Sequence, residues 1–563
     1  MLSSMVSNIL LCQFLIFVLF YAGVESSPCK PRAYGDHNIV CVCDESYCDE
    51  LSLVPEVASN QAALYETNKS GARFQSSVLN FSKSADPGFP VLSVNRSDIY
   101  QFILGFGGAF TDATGINIKS VTPQLQKKIM SSYFSKTGLE YNMGRIPIAS
   151  CDFSTKAYSY DDVPGDFNLT YFKLSKEDFT YKIPFIKEAM NLVKEDLVLF
   201  GTPWSAPGWM KTNNAMNGKG GIKGNPGGKY YKTWANYLVR FLEEYHANNI
   251  TLWGLTLQNE PTDGCIVNFP FQAMCFPPDL QRDFLKLDFG PALTKAGFTP
   301  DNLRLMIGDD NRVILPKWAD VILSDPDAAQ YVSGIAFHWY LEDLFPHKLL
   351  DITQKKYPSL FFLPTEASTG SYPWEFPKSD LGNWNRGERY AHDIIQDLLN
   401  WSIGWIDWNL VLDMQGGPNW VSNFVDAPII VNVGTNEFYK QPMYYALAHF
   451  SKCLPRGSYR IGLEVSSSLH SAFPFFLGSE FNVAAFQTPE NKVVVIAVNR
   501  KNVSVRLAVY DNLKGYLNIT VSPNSIQRDA YEDPLYNKLD EQEDAKRRIV
   551  SLNLAMLSIK VLD

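Results

Sequence analysis

The sequence has no excess of basic residues. Its 563 residues include 50 Lys and Arg against 59 Asp and Glu, which gives a formal net charge of −9. Because a surface that binds nucleic acid must be basic, this balance argues against nucleic acid as a partner. Charged residues are also scarce overall, at 19%, whereas 46% are apolar and 13% aromatic. This composition is typical of globular proteins and excludes disordered, collagen-like and coiled-coil molecules.

Beyond its first residues the sequence lacks any apolar run long enough to cross a membrane. Residues 9–21 form an apolar run of 13 residues, which is too short for a span, and small and polar residues follow up to Pro28. This pattern predicts a signal peptide over residues 1–26, with a buried core segment or an anchor as the alternative. We therefore expect the chain to enter the secretory pathway.

The sequence also lacks a Cys-x-x-Cys pair, although it has nine cysteines. Such pairs are typical of zinc sites, so their absence favours disulfides formed in an oxidising compartment. A disulfide-stapled N-terminal lobe is predicted over residues 27–54 from the cluster Cys29, Cys41, Cys43 and Cys48. We expect free thiols or one further bridge at Cys151, Cys265, Cys275 and Cys453. Eight Asn-x-Ser/Thr sequons, all candidate glycosylation sites, agree with secretion: Asn68, Asn80, Asn95, Asn168, Asn249, Asn400, Asn502 and Asn518.

Eight apolar or aromatic runs recur through the middle of the chain, each with a polar or glycine-rich ending and with helix-like stretches between them. Strands alternating with helices indicate parallel pairing, and eight units indicate a closed (β/α)8 barrel, an α/β fold. We place this barrel at residues 101–454. An open doubly wound sheet is the alternative, but residues 106–115 only weakly resemble the phosphate loop expected there. The eight runs are 100–108, 141–150, 197–205, 250–260, 303–310, 334–340, 360–366 and 403–409.

A second domain is predicted from the segments that flank the barrel in the sequence. Short strand-like segments such as 492–500, with turn residues between them, indicate a β-sandwich. We assign residues 55–100 and 455–563 to this discontinuous sandwich. Residues 529–550 are a charged stretch, and the sequence leaves open whether it is a linker to a strand at 552–563 or a tail.

Two glutamates stand where a barrel carries its active site, at the carboxyl ends of the strands. Glu260 and Glu366 end the fourth and seventh runs, and these two strands face each other across the mouth of an eight-stranded barrel. Two carboxylates held there suit glycosidase chemistry, in which a separation of about 5 Å gives retention and a wider gap gives inversion. The other residues expected at strand ends are Arg145, Trp204, Asn259, Asp309, Asp310, His338, Trp339, Tyr340, Trp408 and Asn409.

The aromatic residues also indicate a sugar ligand. All twelve tryptophans lie between Trp204 and Trp420. Trp204, Trp339 and Trp408 are expected at strand ends, where an aromatic face can stack on the apolar side of a pyranose ring. We expect no metal and no organic cofactor. Asp152, Asp309 and Asp310 could be mistaken for a metal cluster, but their spacing matches no standard cation loop.

Several longer motifs match those of one known family. They are GFGGAFTDA (105–113), ASCDFS (149–154), KTNNAMNGKG (211–220), NEP (259–261), FHWYL (337–341), TEAS (365–368), GWIDWNL (404–410) and GGPNWVSNFVDAPII (416–430). By these motifs the chain resembles the lysosomal acid β-glucosidase (glucosylceramidase) family of retaining glycoside hydrolases, from Pro28 to about residue 527.

The resemblance implies both a fold and a reaction. The fold is a (β/α)8 barrel with a β-sandwich, and the reaction is hydrolysis of glucosylceramide with Glu260 as acid/base and Glu366 as nucleophile. The ionised nucleophile is expected to raise the proton affinity of Glu260. His338 is interpreted either as a residue of the sugar site or as a barrel-core histidine. The residues expected around the sugar are Arg145, Asp152, Trp204, Asn259, His338, Tyr340, Trp408 and Asn423.

The implied substrate carries two apolar tails, so we expect peripheral contact with a membrane. The loops at 341–347 and 370–376 are candidates for this contact, with local loop packing as the alternative. The resemblance further implies a saposin-type activator protein, anionic lipid and a lysosomal location, with secretion as the alternative. The rival functions are another retaining β-glycosidase of this scaffold, such as a β-xylosidase or β-1,6-glucanase, and a non-catalytic glycolipid-binding protein.

Overall fold

The computed structural model describes residues 28–51, 57–194, 197–342, 344–465 and 480–533. Three sheets organise this part of the chain. The predicted signal peptide and the undecided segment at 552–563 lie outside the described residues. None of the described helices combines the length and the apolarity that a membrane span requires.

The central sheet consists of eight parallel strands: β6 (Gly105–Ala109), β7 (Met143–Ile148), β8 (Val198–Pro203), β9 (Gly254–Thr256), β10 (Arg304–Asn311), β11 (Val332–His338), β12 (Phe361–Glu366) and β13 (Gly404–Asn409). Strand β13 pairs with β6, and the Phe362–Ser402 bridge joins β12 to the start of β13, which closes the sheet into a barrel. Every residue of β7 and β13 is buried. Strands buried on both faces form continuous apolar runs, which explains why the sequence revealed them.

Helices follow most barrel strands and cover them with one apolar face. The longest, α4, buries Tyr231, Trp234, Leu238, Phe241 and Tyr245, at spacings of three and four residues. The helices are α1 (Asp112–Lys119), α2 (Pro123–Phe134), α3 (Ile183–Val193), α4 (Lys229–Ala247), α5 (Pro278–Phe284), α6 (Gly290–Lys295), α7 (Lys317–Ile322), α8 (Pro326–Ala329), α9 (Lys348–Lys356), α10 (Trp384–Leu399) and α11 (Pro442–Ser451).

A nine-stranded sheet combines segments that precede and follow the barrel in the sequence. Its strands are β3 (Gln61–Asn68), β4 (Gln75–Asn80), β5 (Val91–Phe102), β17 (Tyr459–Val465), β18 (Phe481–Gln487), β19 (Lys492–Asn499), β20 (Val505–Asp511), β21 (Gly515–Val521) and β22 (Ser525–Glu532). All of its strand pairs are antiparallel except β20 with β5. Its apolar residues form a core of their own, which includes Leu92, Val495, Leu507 and Leu517.

The third sheet joins the N-terminal lobe to the end of the barrel segment: β1 (Pro31–Ala33), β2 (Ile39–Cys43), β14 (Val411–Asp413), β15 (Ile429–Asn432) and β16 (Glu437–Lys440). Two disulfides hold the lobe, Cys29–Cys41 and Cys43–Cys48. A third, Cys265–Cys275, is the further bridge that the sequence left open. Cys151 and Cys453 are buried free thiols.

Three sequence assignments differ from the structure. The run 100–108 is divided, because residues up to Phe102 end β5 of the nine-stranded sheet and the barrel strand begins only at Gly105. The run 250–260 contains a strand of three residues, β9. The charged stretch that starts at residue 529 belongs to β22 as far as Glu532. Its backbone pairs with β19 and β3, and this pairing does not depend on the charge of its side chains.

Candidate active site

The carboxyl ends of the barrel strands surround one cavity of about 270 Å³. Glu260 follows β9 and Glu366 ends β12, so the chain delivers both carboxyls to this mouth. Predicted residues that line the cavity are Asp152, Trp204, Asn259, Glu260, Tyr340, Glu366, Trp408 and Asn423. Residues that sequence reasoning missed also line it: Phe153, Asp263, Phe269, Phe271, Asn311, Ser371, Tyr372 and Val425.

The two glutamates lie close together. A carboxylate oxygen of Glu260 and one of Glu366 are within 4.8 Å of each other. The Tyr340 hydroxyl donates a hydrogen bond of 2.8 Å to Glu366 Oε1, and the Arg145 guanidinium donates to Glu366 Oε2. These donors stabilise a negative charge on Glu366 and fix its orientation. The separation matches the roughly 5 Å of retaining glycosidases and excludes the wider gap of inverting ones.

Arg145, on β7, connects several groups beneath the cavity. Its side chain is fully buried, and Nη2 donates to Asn259 Oδ1 at 2.8 Å and to Asp309 Oδ2 at 3.1 Å. A buried cation requires such partners, because its desolvation is otherwise uncompensated. The Arg145 bond to the Asn259 oxygen fixes the orientation of this amide, which lines the cavity.

His338 lies behind Glu260 rather than among the residues that line the cavity. Its Nδ1 is 3.0 Å from Glu260 Oε1 and its Nε2 is 3.1 Å from Asp309 Oδ1. Burial lowers the pKa of His338, but the negative charges of Glu366, Asp309 and Glu260 outweigh it and raise the pKa to about 10. Both ring nitrogens therefore carry protons and donate, one to each carboxylate. Neither sequence interpretation described this role.

The environment of Glu260 differs from the predicted one. Burial raises the pKa of its carboxyl, but the hydrogen bond and charge of His338, with smaller contributions from Asp263 and Arg145, bring it below the ordinary value. Burial, together with the charge of Glu260, raises the pKa of Asp263, which also lines the cavity, far above its usual range. The sequence reasoning considered only Glu366 as the neighbour of Glu260.

Two residues at the centre of the site have strained backbone. Glu260 has a φ of 39° and Asp309 a φ of 56°, in the left-handed region that side chains other than glycine rarely adopt. The Glu260 amide donates to the Asp309 carbonyl at 2.8 Å, which joins the two strained residues. Strain of this kind persists where the surrounding structure holds a functional group in place.

The cavity also contains a further carboxyl, that of Asp152, which two side-chain amides contact. Asp152 accepts hydrogen bonds of 3.0 Å from the side-chain amides of Asn419 and Asn423. Burial, opposed by those hydrogen bonds and reinforced by the charge of Glu366, raises the pKa of Asp152 to about 7. Trp204 and Trp408 line the same cavity.

Trp339 was predicted to stack on sugar, and the structure contradicts this. Trp339 is fully buried and packs edge-on against Tyr390 and Trp405, with ring centroids 5.2 and 6.4 Å away. It follows His338 directly, so its side chain leaves the chain on the side opposite to the barrel interior.

Among the described residues, two groups that include a histidine bring ligand-type atoms within 4.8 Å of one another: Glu260, His338 and Glu366, and His347, Asp393 and Asp397. In the first group the protonated His338 has no lone pair to offer. In the second, the Arg312 guanidinium already binds Asp393 and Asp397 at 3.0 and 3.2 Å. Neither group therefore offers a cation a free set of donors.

A parallel eight-stranded barrel with two carboxylates facing each other across its mouth defines a glycoside hydrolase. Residues 103–454 match the glycosyl hydrolase family 30 TIM-barrel domain, and residues 457–527 match the family 30 beta sandwich domain. The chain belongs to glycosyl hydrolase family 30, and the predicted fold class is confirmed.

Curated relatives are similar over nearly their whole length. The chain is 43% identical over 511 residues to the lysosomal acid glucosylceramidase of Mus musculus, covering 90% of this chain and 96% of that protein. It is 44% identical over 520 residues to the putative glucosylceramidase 4 of Caenorhabditis elegans, covering 92% and 98%. Among solved structures, SrfJ from Salmonella typhimurium has a TM-score of 0.75 at 25% identity, covering 84% of this chain and all of that one. The endo-beta1,6-glucanase BT3312 has a TM-score of 0.73 at 24% identity, covering 84% and 99%, and shows the shared fold.

Proposed function

We propose that this hydrolase cleaves the β-glucosyl bond of glucosylceramide, with Glu366 as the nucleophile and Glu260 as the acid/base. The observation that carries the mechanism is the approach of the two carboxylates to within 4.8 Å in one cavity. The substrate is supported by the 43% identity to the mouse lysosomal acid glucosylceramidase over 90% of this chain.

The reaction proceeds by two displacements at the anomeric carbon. Glu366 attacks that carbon while Glu260 protonates the departing ceramide oxygen, and an ester between glucose and Glu366 forms. Glu260, now ionised, removes a proton from water, and the resulting hydroxide attacks the same carbon. Glu366 leaves as a carboxylate and β-glucose is released, so the starting configuration is retained.

The glucose ring is bound by the residues on the other side of the cavity. Asp152 and Asn423 accept from and donate to the hydroxyls away from the reacting carbon, and Trp204 and Trp408 contact the apolar face of the ring. The free amide nitrogen of Asn259 donates to the 2-OH, a contact that strengthens toward the transition state.

Lipid contact is assigned to the loops beside the cavity. Leu344, Trp374 and Phe376 are exposed by 70, 76 and 74%. Trp374 stacks on Tyr372, which itself lines the cavity. Apolar side chains exposed beside a glycolipid site are suited to the interface of a membrane. A saposin-type activator and anionic lipid act at this surface, and the enzyme works in the lysosome or after secretion.

The lipid assignment is tested by flotation with vesicles of phosphatidylserine and phosphatidylcholine. Trp374→Ala and Phe376→Ala should bind less than the wild type. Val503→Ala is the matched control, because Val503 is 62% exposed in the loop between β19 and β20 and does not line the cavity. Equal binding of all four proteins would assign the aromatic residues to local loop packing.

The usable sequons are those with exposed asparagines: Asn80, Asn168, Asn249 and Asn502. The other four, Asn68, Asn95, Asn400 and Asn518, are half-buried. The Asn518 amide donates to Ser82 Oγ and Asp86 Oδ1, both at 3.1 Å, and a glycan would remove those bonds. Glycopeptide mapping of secreted protein should find the four exposed sites occupied and Asn518 least occupied.

Covalent labelling with a cyclitol epoxide tests the catalytic assignment. The label should map to Glu366, Glu366→Gln should not turn over, and azide should restore turnover of activated substrates by Glu260→Ala. Label on another peptide would contradict the assignment of the nucleophile. Hydrolysis of xylosides or β-1,6-glucan in preference to glucosylceramide would assign a different glycosidase activity, and binding without turnover would indicate a glycolipid-binding protein.

A further inference from the structure

A second cavity lies between the nine-stranded sheet and the end of the barrel segment, and the proposed function does not use it. Its volume is about 160 Å³, which is below the range of about 300–1,000 Å³ that organic ligands occupy and suits a small ion. Arg528 of β22 and Lys492 and Val494 of β19 line it from the sheet. Lys452 and Cys453, which follow α11 directly, line it from the barrel side.

Arg528 is buried at this cavity without an acceptor for its guanidinium. It is only 4% exposed, and its Nε is buried with no hydrogen-bond partner. Among the described residues, none accepts a hydrogen bond from its Nη atoms, and no carboxylate lies within ion-pair distance. An arginine has five N–H donors and a permanent charge, so its burial is costly unless acceptors or an anion compensate it.

The sheet directs the nearby polar side chains of β22 away from Arg528. Successive residues of a strand point to opposite faces, so its neighbours Gln527 and Asp529 lie on the other face. There the Gln527 amide donates to Asp529 Oδ2 at 3.3 Å. Glu532 shares the face of Arg528, but four residues of strand separate them by about 13 Å. Glu532 is instead the direct cross-strand neighbour of Lys492.

The other groups next to the guanidinium do not accept from it either. Tyr65 is its cross-strand neighbour on β3, and the guanidinium carbon lies 5.0 Å from the centroid of the tyrosine ring. An aromatic face offsets part of the cost of burying a cation, but it does not satisfy the N–H donors. Lys452 differs from Arg528 in this respect, because its Nζ is 2.7 Å from Glu140 Oε1. Arg528 is therefore the buried cation of this cavity that has no counter-charge.

We propose that this cavity binds a small oxyanion, with the Arg528 guanidinium as its main contact. A guanidinium presents parallel N–H groups that match two oxygens of a phosphate or a carboxylate. The other charged residues that line the cavity are Lys452, Lys492, Glu490 and Glu532. Both glutamates are exposed, so solvent screens their repulsion of an anion more than it screens the attraction by the buried arginine.

The site is separate from the catalytic one, since the two cavities share no lining residue. The small volume favours a free ion, such as inorganic phosphate, over the phosphate group of a larger molecule. The anion would lie between β22 and the residues that follow α11, so its binding is expected to stabilise the contact between the sheet and the barrel.

Titration calorimetry and thermal unfolding with inorganic phosphate test this inference, with chloride at equal ionic strength as the reference. Phosphate should bind the wild type and raise its Tm, because a ligand that binds only the folded state stabilises it. Arg528→Met should weaken phosphate binding by at least about 10-fold, the loss expected for hydrogen bonds to a charged group. In chloride alone, the Tm of Arg528→Met should equal or exceed that of the wild type, since methionine occupies the space without an uncompensated charge.

Arg506→Met is the matched control. Arg506 is exposed on β20 and also lies beside an aromatic ring, 5.7 Å from the centroid of Phe89. This variant should keep the phosphate affinity of the wild type. Equal affinity in the wild type and Arg528→Met, or a wild-type Tm that phosphate does not raise above its value in chloride, would overturn the proposal.

Two further measurements complete the test. If Arg528→Met does not fold, Arg528→Lys replaces it, because lysine keeps the charge but cannot form two parallel hydrogen bonds, and it should also bind phosphate more weakly. Glycerol 3-phosphate distinguishes the sources of the anion. Weaker binding than that of phosphate supports a free ion, whereas equal binding that Arg528→Met abolishes supports the same site with a phosphate ester as its ligand.

Discussion

Trp204 and Trp408 stack with ring centroids 5.2 Å apart and an interplanar angle of 22°, and the Arg145 guanidinium lies 4.9 and 5.4 Å from the two centroids. The rings come from the ends of β8 and β13, and the cation from β7. The same guanidinium binds Glu366, Asn259 and Asp309. The part of the cavity that would bind the sugar ring and the part that carries the carboxylates are therefore held by one side chain.

Arg145→Lys should show how much of the activity depends on that planar side chain. Lysine keeps the charge but cannot donate to Glu366, Asn259 and Asp309 at once. We expect kcat/KM to fall by about 100-fold, comparable to the loss of one preorganised donor, together with a lower Tm. Arg240→Lys, at the surface of α4, is the control and should change neither value. An Arg145→Lys enzyme with wild-type kcat/KM would contradict the role assigned to Arg145.

His449→Gln should reduce the loss of folding stability that occurs as pH falls. His449 is fully buried in α11, with Nε2 2.8 Å from Thr67 Oγ1, and burial with the charge of Arg528 lowers its pKa to about 3. The unfolded chain binds a proton below about pH 6.5 and the folded chain does not, so stability is lost as pH falls from there. At pH 5 this loss is about 2 kcal/mol.

The measurement for His449 is the difference in Tm between variant and wild type at pH 5 and pH 7.5. The Tm of the variant relative to that of the wild type should be higher at pH 5 than at pH 7.5. His246→Gln, exposed at the end of α4, should show the same gap at both pH values. A gap for His449→Gln that does not change with pH would show that the histidine is protonated in the folded protein.

Asp529→Asn should reduce a loss of folding stability that occurs as pH rises, which is opposite to the effect of His449. Asp529 is buried in β22, and burial, opposed by hydrogen bonds from Gln527 and by the charge of Arg528, raises its pKa to about 7. The folded protein keeps this proton while the unfolded chain has released it above about pH 4, so stability falls as pH rises from about 4 to about 7. The variant carries no such proton, and its Tm relative to wild type should increase over that interval. A constant difference would show that Asp529 is ionised in its strand.

Removal of the Cys265–Cys275 disulfide should affect catalysis as well as stability. The bridge closes a sequence separation of 10 residues, and the chain-entropy argument assigns it about 3 kcal/mol. Because the bridge follows Glu260 and Asp263 directly, the double Cys→Ser variant should lose kcat/KM in addition to Tm. The matched control removes Cys43–Cys48 in the N-terminal lobe, which should lower Tm and leave kcat/KM intact. Equal kcat/KM in the two double variants would contradict a role for the first bridge in the site.

The sequence located the barrel strands because their burial on both faces leaves a local signature. Strands such as β7 and β13 are continuous buried runs, and they were recognised with errors only at their ends. The division of the run 100–108 between two sheets was not visible, since no turn residue such as Pro, Asn, Asp or Ser separates Tyr100 from Gly105. The charged residues of β22 concealed the end of this strand, because its pairing depends on backbone hydrogen bonds with β19 and β3.

By itself the sequence determined which residues reach the mouth of the barrel, because strand order and strand ends are properties of the chain. Glu260, Glu366, Arg145 and Tyr340 follow from that reasoning and line the site or lie directly beneath it. Only the tertiary structure decided which of these groups touch and which carry protons. The hydrogen bond between His338 and Glu260 and the burial of Trp339 depend on side-chain direction and on distances between strands far apart in the chain. Hydrogen bonds and ion pairs depend on the distance between their atoms, so proton positions are set by those distances and not by sequence order.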